Sequence, residues 1–284
     1  MSTTIEQHRA VLLELLTEFD RICKKYDIQY QVFCGTALGA VRHKGFIPWD
    51  DDLDVCMLRP HYERFLQVAP GEVGEQFYVQ GEFSEHWGMH FSKLRKNGTT
   101  YLEKFHPKDK KMHQGIYIDI FPCDNGSDTG WVRKLQFYAS RVALAHTIFK
   151  RGYDTDNWLK KFFMGCCALL PLKPFHSFAM GKKYPHSRTV HTFLSCTSRY
   201  HKGIYKREWL TETVEMDFEN RKVPVSAHYD ELLTVLYGDY MQLPSEEDRK
   251  IKEHAVLIHT DRDYSGFEDY RDGMKFDVYS RNIH

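Results

Sequence analysis

The 284-residue chain has no excess of either charge: 39 Lys and Arg stand against 39 Asp and Glu. That balance gives no general attraction to nucleic acid. It also has no run of about 18 apolar residues, the length a helix needs to cross a bilayer. The nearest is Phe162–Leu172, FFMGCCALLPL, preceded by Lys160 and Lys161. There is no C-x-x-C pair, and the seven cysteines are an odd, scattered set. This argues against a disulfide framework or zinc ribbon and fits a reducing cytoplasm. No P-loop and no G-x-S-x-G elbow occurs. His86 and His90 are four apart, but Trp87 follows His86, so H-E-x-x-H zinc chemistry is excluded. The N-terminal segment is amphipathic and interrupted by charge, unlike a signal peptide. What remains, 42% hydrophobic and 27% charged, is the composition of a folded soluble protein.

Periodicity places the elements. Residues 4–26 repeat as an amphipathic helix, with a capping box expected from Thr3 and Glu6. Strands are expected at 28–34, 52–57, 77–80, 90–95 and 115–121, and helices at 37–43, 60–68, 131–150 and 229–237. Residues 157–200 lean helical, with breaks at Pro171, Pro174 and Pro185. The reading is α/β (α+β): a mixed-sheet core followed by a mostly helical half.

The segment Gly35–Met57, GTALGAVRHKGFIPWDDDLDVCM, concentrates the chemistry. Alternation in DLDVCM sets Leu53, Val55 and Met57 against Asp52, Asp54 and Cys56. Two carboxylates on one strand face suit a hard cation such as Mg²⁺, and Asp119 in the alternating GIYIDIF is the obvious third. Asp50-x-Asp52-x-Asp54 has calcium-loop spacing, but Val55 replaces the sixth-position Gly and His61 the twelfth-position Glu. Gly35-Thr36, read as a turn before a helix, is expected to offer N–H groups to a phosphate. Arg42, Lys44, Lys93 and Arg95 are expected to neutralise the remaining charge.

These residues resemble the signature of the LicD family, bacterial phosphocholine transferases related to fukutin-type proteins. FCGTALGAVRHKGFIPWDDDLDVCM carries most of the likeness. FSKLRKNGTTYLE (91–103), HQGIYIDIFPCD (113–124) and VPVSAHYDELLTVLYGDYMQLP (223–244) are similar to further family blocks. Cys123 and Lys96 depart from the pattern. The resemblance implies a nucleotidyltransferase-like fold with Mg²⁺ (or Mn²⁺), two ions, on Asp52, Asp54 and Asp119. It implies transfer of phosphocholine from CDP-choline to a glycan hydroxyl, in lipopolysaccharide, teichoic acid or a capsule precursor, with release of CMP. Other CDP-linked donors (ethanolamine, glycerol, ribitol, a phosphonate) and nucleotidyl transfer are the alternatives. The general base is left open among Asp119, Asp50 and Asp51. A quaternary ammonium needs aromatic faces, and Trp49, Trp87, Tyr101, Tyr117 and Phe121 lie near the acidic blocks.

Three regions are expected: a catalytic core at 1–128, a helical acceptor- or membrane-facing region at 129–222, and a segment at 223–284 packing back on the core. Residues 158–180 are either a buried helix or an interfacial segment. The expected location is cytoplasmic, with peripheral contact at the inner face of a bacterial plasma membrane.

Overall fold

A computed structural model describes residues 3–84, 87–103, 112–152, 155, 157–197, 199–246, 249 and 255–267. His86 and the basic Lys108–Lys111 lie outside the described residues.

Helix α1 (Ile5–Lys25) buries Leu12, Leu15, Leu16, Phe19 and Ile22 along one stripe. Its capping box uses Thr4 and Gln7, one residue later than the expected Thr3 and Glu6. The Thr3 hydroxyl instead accepts from the Thr260 N–H at 3.3 Å. Strand β1 shrinks to Gln31–Val32, because the chain turns directly into α2 (Cys34–His43). Strand β2 (Asp54–Leu58) runs into α3 (Arg59–Glu72), whose Pro60 occupies the first turn, where no N–H is needed. Strands β3 (Phe77–Gln80), β4 (Ser92–Lys96), β5 (Thr100–Glu103) and β6 (Tyr117–Gly126) follow.

The second half is less helical than its sequence suggests. Helices α4 (Gly130–Lys150), α5 (Trp158–Leu169) and α6 (Leu172–Ala179) give way to β7 (Thr189–His191) and β8 (Ile204–Lys206). A short α7 (Glu208–Thr211), the hairpin β9 (Thr213–Phe218)–β10 (Arg221–Ser226), α8 (Tyr229–Tyr237) and β11 (Ala255–His259) complete the order. Gly238, at φ 75°, ends α8 as expected.

The main sheet runs β1-β2-β6-β4-β3, with β7 and β8 extending from β6. Among the described residues only β2 and β6 pair in parallel; the other pairs of this sheet are antiparallel. β11 pairs with β5, so residues 255–259 return to the core. The expected alternation in β2 holds, although every residue of the strand is buried. Val55 and Met57 pack with Leu15, Phe19, Phe65, Ile118 and Ile120 under α1 and α3. Cys56 and Leu58 pack on the opposite face with Phe121, Cys123, Leu232 and Leu236. Both faces are covered, so a polar side chain on β2 needs a reason to be there.

Candidate active site

That reason is positional. In the β2–β6 ladder Asp54 stands directly beside Asp119, and in the β4–β6 ladder Lys93 stands beside Asp119. Three adjacent strands therefore carry Asp54, Asp119 and Lys93 in one row. Adjacent strands lie about 4.8 Å apart, so the two carboxylates are neighbours. The Lys93 ammonium lies 2.9 Å from Asp119 Oδ1 and 3.4 Å from Glu103 Oε1.

Two hydrogen bonds lock α2 to this row. The Asp54 N–H donates to Thr36 Oγ1 at 2.8 Å, and the Phe33 N–H donates to the Asp54 carbonyl at 2.9 Å. Gly35 and Thr36 are thus the first turn of α2 rather than a turn ahead of it. A Cβ on Gly35 would come within 2.5 Å of Asp50 Oδ2, so the Asp50 carboxylate rests against the start of the helix. A negative group is favoured there by the unpaired N–H groups of the first turn.

The row is short of positive charge. Burial first, then Asp52, Asp119 and Asp50, push the Asp54 carboxyl well above the ordinary range. Burial also raises Asp119, with Lys93 opposing the shift. Asp52, Asp54 and Asp119 are hard oxygen donors, so the set suits a divalent cation by its chemistry. Among the described residues, no three His, Cys, Asp or Glu side chains are already gathered as a metal-binding group.

Several expected site residues make hydrogen bonds within the scaffold. The Asp51 carboxylate accepts from the Tyr101 hydroxyl at 3.1 Å and the Ala255 N–H at 3.3 Å, and its carbonyl accepts from His8 Nε2 at 2.8 Å. It fastens α1, β5 and β11 together. Arg42 donates to the Tyr240 and Gln242 carbonyls, and Lys44 caps α2 at φ 56°. Both sit towards the far end of the helix, about 10–14 Å along its axis from Gly35 at ~1.5 Å per residue. Arg95 is buried, donating to Gln80 Oε1 at 2.6 Å and the Gly115 carbonyl at 2.8 Å. The Arg42 and Arg95 guanidinium groups are thus held by the scaffold, while Lys44 caps the helix through its backbone and its side chain is exposed.

The aromatic candidates are also engaged. Lys93 Nζ stands 3.1 Å from the Tyr117 ring centroid, 5.2 Å from Trp87 and 5.7 Å from Phe91. The Tyr117 hydroxyl donates to Glu103. Tyr101 lies edge-on to Tyr117, and Phe121 packs on Phe33 and Phe91. Trp49 meets the His43 edge and the Arg249 guanidinium, 4.6 Å away. The cage of Tyr117, Trp87 and Phe91 therefore holds the chain's own ammonium.

Glu103 and Cys196 were not legible as neighbours of the row. Cys196 Sγ lies 3.4 Å from Cys34 Sγ at the start of α2, and it faces Asp54 electrostatically. Glu103 sits on a short strand without alternation, and Cys196 on a loop beyond β7.

The comparisons with known proteins bear on this geometry. The chain is 30% identical over 264 residues to the lipopolysaccharide cholinephosphotransferase LicD of Haemophilus influenzae, covering 89% of this chain and 98% of that protein. The chain belongs to the LicD family. The family description "LicD/FKTN/FKRP, nucleotidyltransferase domain" matches residues 27–161, which contain Asp54, Asp119 and Lys93. An uncharacterized protein of Rickettsia typhi is 38% identical over 120 residues, 42% of this chain and 36% of its own length. Membership in the LicD family makes the chain a transferase.

Proposed function

We propose that the chain transfers phosphocholine from CDP-choline to a hydroxyl of a cell-surface glycan, releasing CMP. The observation that carries this reading is the Asp54–Asp119 pairing in register across the central parallel strands, where the Asp54 N–H donates to Thr36 in the first turn of α2. Near-complete coverage of a protein named as a lipopolysaccharide cholinephosphotransferase supports the substrate class.

Asp52, Asp54 and Asp119 would hold Mg²⁺ or Mn²⁺. When bound, the metal supplies charge neutralisation for a diphosphate and its leaving group. The chain's own part is then positional and protonic. Thr36 keeps the Asp54 backbone against α2, and Lys93 keeps the Asp119 carboxylate oriented. The acceptor oxygen attacks the phosphorus bearing choline, the bond to CMP breaks, and the hydroxyl proton passes to a carboxylate. Asp51 Oδ2 accepts from Tyr101 and Ala255, so this reading gives the base role to Asp50 or Asp119 ahead of Asp51. With Lys93 already occupying the Tyr117 cage, selection of choline falls to other surfaces of the site.

The test is CMP release by purified protein given CDP-choline, Mg²⁺ and a glycan acceptor, beside CDP-ethanolamine, CDP-glycerol and CDP-ribitol. Acceptor-dependent release from CDP-choline supports the reading. Release only from another donor moves it to that donor, and none from any donor overturns it. The expected location is the cytoplasm.

A further inference from the structure

Exposed apolar side chains gather in one stretch of the chain. Nine of the fifteen large apolar residues exposed in the described structure lie between Trp131 and Leu170. On α5 and just after it they are Trp158, Leu159, Phe162, Phe163, Leu169 and Leu170, with Trp158 71%, Phe162 68% and Leu169 87% exposed. Only Met164 and Cys167 of that helix are buried, where His146 of α4 contacts the Cys167 carbonyl. Trp131, Leu135 and Tyr138 form an exposed row at helical spacing on α4. A patch of this kind on a folded chain marks an interaction surface.

Charge says what covers it. Residues 130–207 contain fifteen Lys and Arg but two acidic residues, Asp154 and Asp156, within a chain that balances overall. Helices α4, α5 and α6 contain no acidic residue at all. Lys160 and Lys161 sit inside the apolar helix, and Lys173 begins the next. Tryptophan, phenylalanine and leucine interleaved with lysine, with no acid, is the composition of a helix lying in the headgroup region of an anionic bilayer. A straight span does not fit, and the α5–α6 pair, which together has the length and composition of a span, is broken between its two helices. The twelve residues of α5 reach about 18 Å against a hydrocarbon core of about 30 Å. Helices α5 and α6 meet at a 97° bend, and among the described residues no single helix is long and apolar enough to cross.

We infer that α5, flanked by α4 and α6, docks the enzyme on the surface of an anionic lipid bilayer. The inference rests on the proposed function only in what it would position, a glycan acceptor carried on lipid; the docking itself is independent of turnover.

The experiment is flotation of the full chain with vesicles of phosphatidylcholine alone or mixed with phosphatidylglycerol. Three proteins are compared: wild type, Phe162→Asp/Phe163→Asp, and Lys160→Glu/Lys161→Glu. Wild type should float with the anionic vesicles, more weakly as salt rises. Each variant should bind at least about tenfold more weakly. Thermal midpoints and CMP release with a water-soluble acceptor should be unchanged in both, which separates docking from folding and catalysis. Absence of wild-type flotation, equal flotation of the Phe variant, or binding to RNA or DNA in place of vesicles would overturn the inference.

Discussion

Replacing Asp54 by Asn should stabilise the folded chain while abolishing transfer. Asp54 is buried beside Asp119, with Asp52 and Asp50 adding negative charge. Two carboxylates about 5 Å apart repel by about 3 kcal/mol at an effective dielectric of ~20. Lys93, 2.9 Å from Asp119, offsets part of this. A net relief of roughly 1–2 kcal/mol raises the unfolding midpoint by about 2–6 °C in a chain of this size. The sign follows from the raised carboxyl: the penalty is absent below the ordinary aspartate value of about 4 and grows as pH climbs through the folded-state value. Differential scanning fluorimetry without divalent ions, at pH 4 and pH 8, therefore should show the gain only at pH 8. Millimolar Mg²⁺ should raise the wild-type midpoint more than that of D54N. A midpoint lowered by the substitution, or an equal gain at both pH values, would refute the electrostatic reasoning.

Other consequences are simpler. Gly35→Ala should push the Asp50 carboxylate, the flexible end of a side chain, off the start of α2; stability should change by less than about 1 kcal/mol while kcat/KM falls at least about tenfold. Asp124→Ala leaves the buried Arg59, which Asp124 pairs at 2.7 and 3.1 Å, with Glu82 as its other carboxylate partner. It should cost about 3–5 kcal/mol in urea unfolding. Burial depresses both His90 and His191 to about 3, so each contributes stability present above the unfolded value near 6.5 and lost as pH falls from there towards 3. Acid unfolding should therefore steepen below pH 6, by up to about 2.7 kcal/mol per pH unit from these two groups. Substituting both with Gln should flatten that limb.

The acidic segment was readable because alternation survives burial. Leu53, Val55 and Met57 face one core and Cys56 the other, so Asp54 could be assigned a face before the fold was known. Pairing Asp119 with it needed the register of a parallel ladder, which no local pattern encodes. Residues 189–191 fall in the stretch read as leaning helical and 204–206 outside every expected element, because each strand has three residues, too few for a period, and is held by its neighbour, β7 by β6 and β8 by β7. Arg42, Lys44 and Arg95 were expected as phosphate ligands on charge alone; carbonyl and amide acceptors engage Arg42 and the buried Arg95, and Lys44 ends α2 with its side chain exposed, partners that no local pattern encodes. The zero net charge concealed a basic stretch at 130–207, because an acidic remainder cancels it.

The most direct test is a single-turnover measurement of CMP release from CDP-choline with Mg²⁺ and acceptor, comparing wild type with Asp119→Asn. Asp119 lies in the row between Asp54 and Lys93. Loss of one of the carboxylates proposed for the metal should lower the rate by at least about a hundredfold while the fold is retained. A folded D119N that releases CMP at the wild-type rate would contradict the assignment of the site.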